Sequence, residues 1–181
     1  MVSEVILVLA LGIDPGTAIT GYGLVNNEGN RLKAIKYGSI FTEAKLPLYD
    51  RLNIIFDQLT DIIEEYRPEV ASIESLFFNN NAKTALSVGH ARGVALLACV
   101  RGGIEIVEYT PLQVKLAVSG YGRADKKQMI AIIVCFMVLS LKMLLCLEEA
   151  PKPDDTADAL AIAICHLNSY KLTNKMKYGG V

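Results

Sequence analysis

Four acidic residues stand where a charge is expensive to place. Asp14 closes the apolar run Ile6–Ile13, within Gly-Ile-Asp-Pro-Gly-Thr, and Pro15-Gly16 turns the chain beside it. Glu74 closes the short run Glu69–Ile73, within Ala-Ser-Ile-Glu-Ser. Asp155 and Asp158 lie three apart at the start of an otherwise apolar helix, so they share one face. A carboxylate at the end of a buried element is costly without a partner. If the three elements converge, repulsion between the acids calls for divalent cations with oxygen ligands, and Mg²⁺ suits such a set. Two such ions a few Å apart activate a water and stabilise the leaving oxygen in phosphodiester hydrolysis. Singly, the same acids also read as a turn acid, an exposed strand end and helix caps. Asp154, directly after Pro153, fits the N-cap best, which leaves Asp155 inside the first turn with Asp158. Asp158 is the hardest to read as a plain surface acid, because Ala157 and Ala159-Leu160-Ala161 surround it.

Cations and aromatics lie close to these acids in the sequence. The loop Gly120–Lys127 carries Arg123, Lys126 and Lys127 against Asp125 alone, with Lys115 just upstream. Gly120 and Gly122 let the backbone approach a phosphate that the cations neutralise; the bland alternative is a solvated charged loop. Phe77-Phe78 follows Glu74 by three residues. One ring of such a pair packs inward, and the other is free to stack on an unpaired base.

The elements that must position these groups follow from the apolar pattern. Ile6–Ile13 reads as a central strand buried on both faces. Thr20–Val25 and Arg31–Phe41 form a hairpin about the polar turn Asn26–Asn30. Pro47–Tyr66 is an amphipathic helix stopped by Pro68, and Glu69–Ile73 is a strand. Ala82–Val100 is a helix rich in Ala and Gly, expected to pack backbone to backbone, and Gly102-Gly103 ends it. Ile104–Tyr109 is a strand, Pro111–Val118 a short helix, and a last helix starts at Asp154 after the break Pro151-Lys152-Pro153. A hairpin followed by alternating β and α elements implies an α/β domain with a mixed sheet flanked by helices. One domain over 1–167 is expected, with a basic tail over 168–181 that frays.

Composition narrows the function classes. At 181 residues, 52% hydrophobic and 20% charged, the chain suits one folded domain and not a disordered one. A formal net charge of −1 excludes a globally basic nucleic-acid coat but not a local basic patch. His90 and His166 are too few for a His-rich metal site. Cys99, Cys135, Cys146 and Cys165 form no CxxC pair and sit in apolar runs, so they read as buried thiols of a reducing cytoplasm. The N-terminus lacks the basic start of a signal peptide. Met129–Leu147, with Lys142 its only charge, approaches the ~20 residues of a membrane span. Its flanking charges fit a buried or interface helix equally well, and no membrane association is expected.

Taken in order, the motifs resemble one family. Leu11–Thr17 with Thr20-Gly21-Tyr22-Gly23, then Ile73-Glu74 and Phe77, Ala85-Leu86 with Gly89 and Ala91-Arg92-Gly93-Val94, Tyr109 with Pro111 and Gln113-Val114-Lys115, the Gly120–Lys126 loop, and Asp155–Ala163 resemble the RuvC family of Holliday-junction endonucleases. The resemblance implies an RNase H-like fold, a five-stranded mixed sheet between helices, used as a homodimer. It implies Mg²⁺-dependent, paired cutting of four-way DNA junctions in recombination and repair, with two ions per site and Mn²⁺ able to substitute. Junction-binding and branch-migration motor proteins are the implied partners. It gives Asp14, Glu74, Asp155 and Asp158 the catalytic and metal-binding roles, sets Phe77 against bases at the junction, and puts Lys115 and Lys126 near the cleaved phosphate. Two stretches depart from the family pattern: a longer lead before Asp14, and a longer, more apolar segment over 128–150. Two other classes stand beside this one. Asp-Pro-Gly-Thr before a hairpin is also similar to the phosphate-gripping turn of actin-like and sugar-kinase-type ATPases, although the chain is short for two such lobes. A module that binds junctions without cutting them is the third.

Overall fold

The computed structural model describes residues 8–28, 31–75, 82–119 and 139–178. Strand β1 (Leu9–Asp14) has four consecutive buried residues and lies at the centre of the sheet, as its apolar run requires. It pairs antiparallel with β2 (Ile19–Glu28), which pairs antiparallel with β3 (Arg31–Phe41). On its other side β1 runs parallel to β4 (Val70–Glu74), which runs parallel to β5 (Glu105–Tyr109). The sheet order is therefore β3-β2-β1-β4-β5. Because β1, β4 and β5 point the same way, Asp14, Glu74 and Tyr109 all arrive at one edge.

Side chains alternate across the sheet with period two. Leu11 and Ile13 point into a core with Ile55, Leu59 and Ile63 of α1 (Leu48–Tyr66) and Ala91, Ala95 and Ala98 of α2 (Ala82–Arg101). Ala10, Val25 and Val70 belong to a second core, with Val114 and Val118 of α3 (Pro111–Ser119) and Leu160, Ile162 and Ile164 of α4 (Asp154–Tyr178). The result is the mixed sheet between helices expected from the alternation of elements, with the five strands that the resemblance implies.

Several expected boundaries move, each for a physical reason. β2 continues through Asn26 and Asn27, because these residues pair with Lys33 and Leu32 of β3 instead of turning. α4 runs on to Tyr178, into the stretch expected to fray. Its first turn beyond residue 167 is tied down: Asn168 Nδ2 donates to Ala117 O at 3.3 Å, and the Tyr170 ring stacks on His166. Cys99 and Cys165 are buried, but Cys146 is exposed, contrary to its apolar neighbourhood; it sits at φ 52° just after the helical residues 139–144. Cys135 lies outside the described residues. In α2 the alanines make the close packing; a Cβ placed on Gly89 or Gly93 would meet nothing within 4 Å. Of the apolar stretch over 129–147, Leu141 and Leu145 enter the core beside α4, while Leu139 and Met143 stay exposed. Among the described residues, no helix is long and apolar enough to cross a membrane.

Candidate active site

Asp14 ends β1 opposite Gly21 of β2. The loop that follows is pinned from three sides. Thr20 Oγ1 donates to Gly16 O at 2.7 Å. Thr42 Oγ1 donates to Thr17 O, and Arg51 donates to the same carbonyl and to Thr42 Oγ1, each at 2.8 Å. The Thr17 and Ser87 hydroxyls share a 2.6 Å hydrogen bond that ties the loop to α2. Glu74 ends β4, and the next amide continues the ladder, with Ser75 N donating to Tyr109 O at 2.7 Å.

Helix α4 brings the other acids. It lies so close to the sheet that a Cβ on Gly21 would fall 1.9 Å from Asp155 O, and one on Gly12 would fall 2.0 Å from Ala159 O. Glycine is therefore required at both positions for backbone to meet backbone. The Ser39 and Thr156 hydroxyls, 2.6 Å apart, lock the start of the helix to β3. Asp154 is not the cap that its place after Pro153 predicts. Pro153 O already accepts from Thr156 N at 3.0 Å and Ala157 N at 3.4 Å, so Pro153 holds the cap position and Asp154 is the first helical residue.

The electrostatics show that the acids share one region. Burial pushes the Asp14 carboxyl up from 3.8 to about 7, and the charges of Asp158, Asp155 and Glu74 add to the rise. Burial likewise pushes Asp158 up to about 6, with further upward contributions from Glu74, Asp154 and Asp155 and an opposing one from Lys115. Glu74 is raised by burial and lowered by Lys115. The exposed Lys115 is carried on α3, whose start is a capping box: Thr110 N donates to Gln113 Oε1 at 2.8 Å and Gln113 N donates to Thr110 Oγ1 at 3.3 Å.

Among the described residues, no three His, Cys, Asp or Glu side chains converge tightly enough to make a ready-formed metal cage. The acids act on one another through their fields and not as a closed ligand set. Their chemistry nevertheless fits a hard divalent cation: the donors are all carboxylate oxygens, and two of them hold protons at unusually high pH until positive charge arrives. Beside them is a cavity of about 480 Å³ lined by Gly16–Ile19, Ser87, Val88 and Asp155.

Asp14, Glu74, Asp155, Asp158 and Lys115 are thus brought together. Phe77, Arg123, Lys126 and Lys127 lie outside the described residues. Two arginines carry weight that their sequence context does not announce. Arg51 reads as part of the polar face of α1, and Arg92 contributed only to a motif, yet Arg51 holds the loop after Asp14 and Arg92 donates to the backbone of Glu74. Nothing in their spacing signals those contacts, which exist only across elements.

The family model described as "Crossover junction endodeoxyribonuclease RuvC" matches residues 10–166. A protein so named from Desulforamulus reducens is 58% identical over 158 residues, covering 87% of this chain and 92% of the relative. One from Alkaliphilus oremlandii is 53% identical over 169 residues, covering 93% and 98%. Among solved structures, T. thermophilus RuvC in complex with Holliday junction substrate superposes with a TM-score of 0.82 at 31% identity, covering 92% of this chain and 96% of that one. The yeast mitochondrial Holliday junction resolvase Ydc2, at 17% identity and a TM-score of 0.60, shares the fold.

Proposed function

The chain belongs to the RuvC family of crossover junction endodeoxyribonucleases, and on that premise we propose which of its residues carry the reaction. The enzyme is an endonuclease that resolves Holliday junctions in recombination and repair. Hydrolysis requires a water oxygen to attack phosphorus while one P–O bond to the sugar breaks. Asp14, Glu74, Asp155 and Asp158 would hold the divalent cations, Mg²⁺ as the natural ion, two per site, with Mn²⁺ as a working substitute. When bound, such ions neutralise charge on the phosphodiester and lower the pKa of water. Lys115, whose field reaches Glu74 and Asp158, faces the phosphate, aided by Arg123, Lys126 and Lys127. Phe77 stacks on a base at the junction centre.

The observation that supports the assignment is the field shared by these acids. They come from the ends of β1, β4 and α4, and Asp14 feels the other three. The chain works as a homodimer in the cytoplasm, so that two such sites cut two strands, and it meets a junction-binding protein and a branch-migration motor there. Synthetic four-way junctions test the reading. Asp14→Asn, Glu74→Gln, Asp155→Asn and Asp158→Asn should each abolish cutting while junction binding survives, because binding rests on cations and shape. Asp154→Asn should cut normally. If all four variants keep cutting, the assignment fails; an inactive Asp154→Asn beside an active Asp155→Asn moves the fourth acid to 154.

A further inference from the structure

Arg92 of α2 is 8% exposed. A buried guanidinium is costly unless its donors are used, and here they are used at the edge that carries Glu74. Arg92 Nη1 donates to Glu74 O at 2.5 Å, and Nη2 pairs with the Glu108 carboxylate of β5 at 2.8 Å. The peptide after Glu74 is therefore held at both polar ends, its N–H by Tyr109 O at 2.7 Å and its carbonyl by Arg92. This clasp begins where β4 loses its partner on the β1 side, since the β1–β4 pairing ends at Ile13↔Ile73 while the β4–β5 pairing includes Glu74.

The clasp acts on the backbone. The cation that lowers the Glu74 carboxyl is Lys115, whereas the bonds Arg92 makes are to the Glu74 carbonyl and the Glu108 carboxylate. Glu108 is half exposed and serves as the anchor that orients the guanidinium. A planar fork can serve the carbonyl and the carboxylate at once, which a lysine ammonium on a flexible stem does with less geometric control.

We propose that Arg92, anchored by Glu108, is a positioning residue that sets the Glu74 backbone and so the placement of its carboxylate for the divalent cation. The proposal rests on the reading of Glu74 as a metal-binding acid. Supporting groups of this kind change metal affinity or activity by about 10–100-fold when altered.

The test compares Arg92→Lys, Glu108→Gln and Glu74→Gln with the unaltered protein. Each is assayed for thermal unfolding, junction affinity in EDTA, Mn²⁺ binding by calorimetry, and cleavage as a function of Mn²⁺ concentration. Arg92→Lys should keep junction affinity within about twofold, weaken Mn²⁺ binding about tenfold, and shift the cleavage curve to correspondingly higher Mn²⁺, with much of the rate recovered at saturation. Glu108→Gln should shift the same curve in the same direction by less. Slower cleavage with unchanged Mn²⁺ affinity in both variants overturns the proposal, because a purely structural role predicts that pattern. Should Arg92→Lys fail to fold, the Mn²⁺ affinity of Glu108→Gln decides alone. Glu74→Gln separates the two layers. Lost cutting with retained junction binding upholds the reading beneath, whereas normal cutting removes that reading and the proposal with it.

Discussion

Asp14 keeps its proton until near neutrality, and that has a measurable effect on folding. Its carboxyl rises from 3.8 to about 7, first through burial and then through Asp158, Asp155 and Glu74. A carboxyl raised on folding holds a proton in the folded chain where the unfolded chain has lost it. Its contribution to stability is therefore most favourable at acid pH and declines as pH rises from about 4 to about 7. In EDTA, Asp14→Asn should consequently raise the melting temperature more at pH 8 than at pH 5, by about 2–4 °C for each kcal/mol relieved. Added Mg²⁺ should stabilise the unaltered protein most at pH 8; melting curves showing equal shifts at both pH values would contradict the shared-field picture. Lys115 gives a second test at this scale. Its charge lowers both Glu74 and Asp158. Lys115→Ala should move the rising limb of the pH–rate profile to higher pH, and should reduce the salt slope of junction binding by about one phosphate contact. A profile that falls in height without moving along the pH axis would leave Lys115 with a role in binding only.

Single elements matter here through how near they come to one another. Gly12 and Gly21 allow α4 to press its backbone on β1 and β2, with Asp155 and Ala159 at the two points of contact. Gly21→Ala has no flexible neighbour to displace and must push the helix off the sheet. It should lower the melting temperature and reduce cutting below one-tenth, with the junction still bound; a variant with normal rate and stability would show that the close approach is dispensable. This scale is also where reading the sequence succeeded and where it stopped. The apolar run that becomes β1, the hairpin and the α1 stripe were legible because the apolar pattern specifies which faces are buried; Ile6 and Leu7 of that run lie outside the described residues. The places of Asp14 and Glu74 at strand ends were legible because each closes such a run. The continuation of β2 through Asn26 and Asn27 was not, since two asparagines favour turns locally and only their partners on β3 hold them extended. Nor was the cap of α4: a local rule put Asp154 there, while the fold gave the place to Pro153. Arg51 and Arg92 were hidden for the same reason, as both bond to carbonyls distant in sequence.

The whole molecule is a sheet with one chemically loaded edge, fed by both halves of the chain. Paired cutting needs two such edges, so the protein should sediment as a dimer at the concentrations at which it cuts, and a variant held monomeric should nick junctions without resolving them. Release of intact paired products by a demonstrated monomer would overturn that expectation. The order in which the chain delivers its acids has a further result. Asp14 and Glu74 lie on the central strands, but Asp155 and Asp158 arrive only with α4, which packs against β1 and β2 after more than a hundred residues have intervened since Asp14. A nascent polypeptide leaving the ribosome thus carries two of the four acids proposed to hold the metal and lacks the other two until α4 is made. On that assignment, a chain whose synthesis stalls before α4 should cut no DNA.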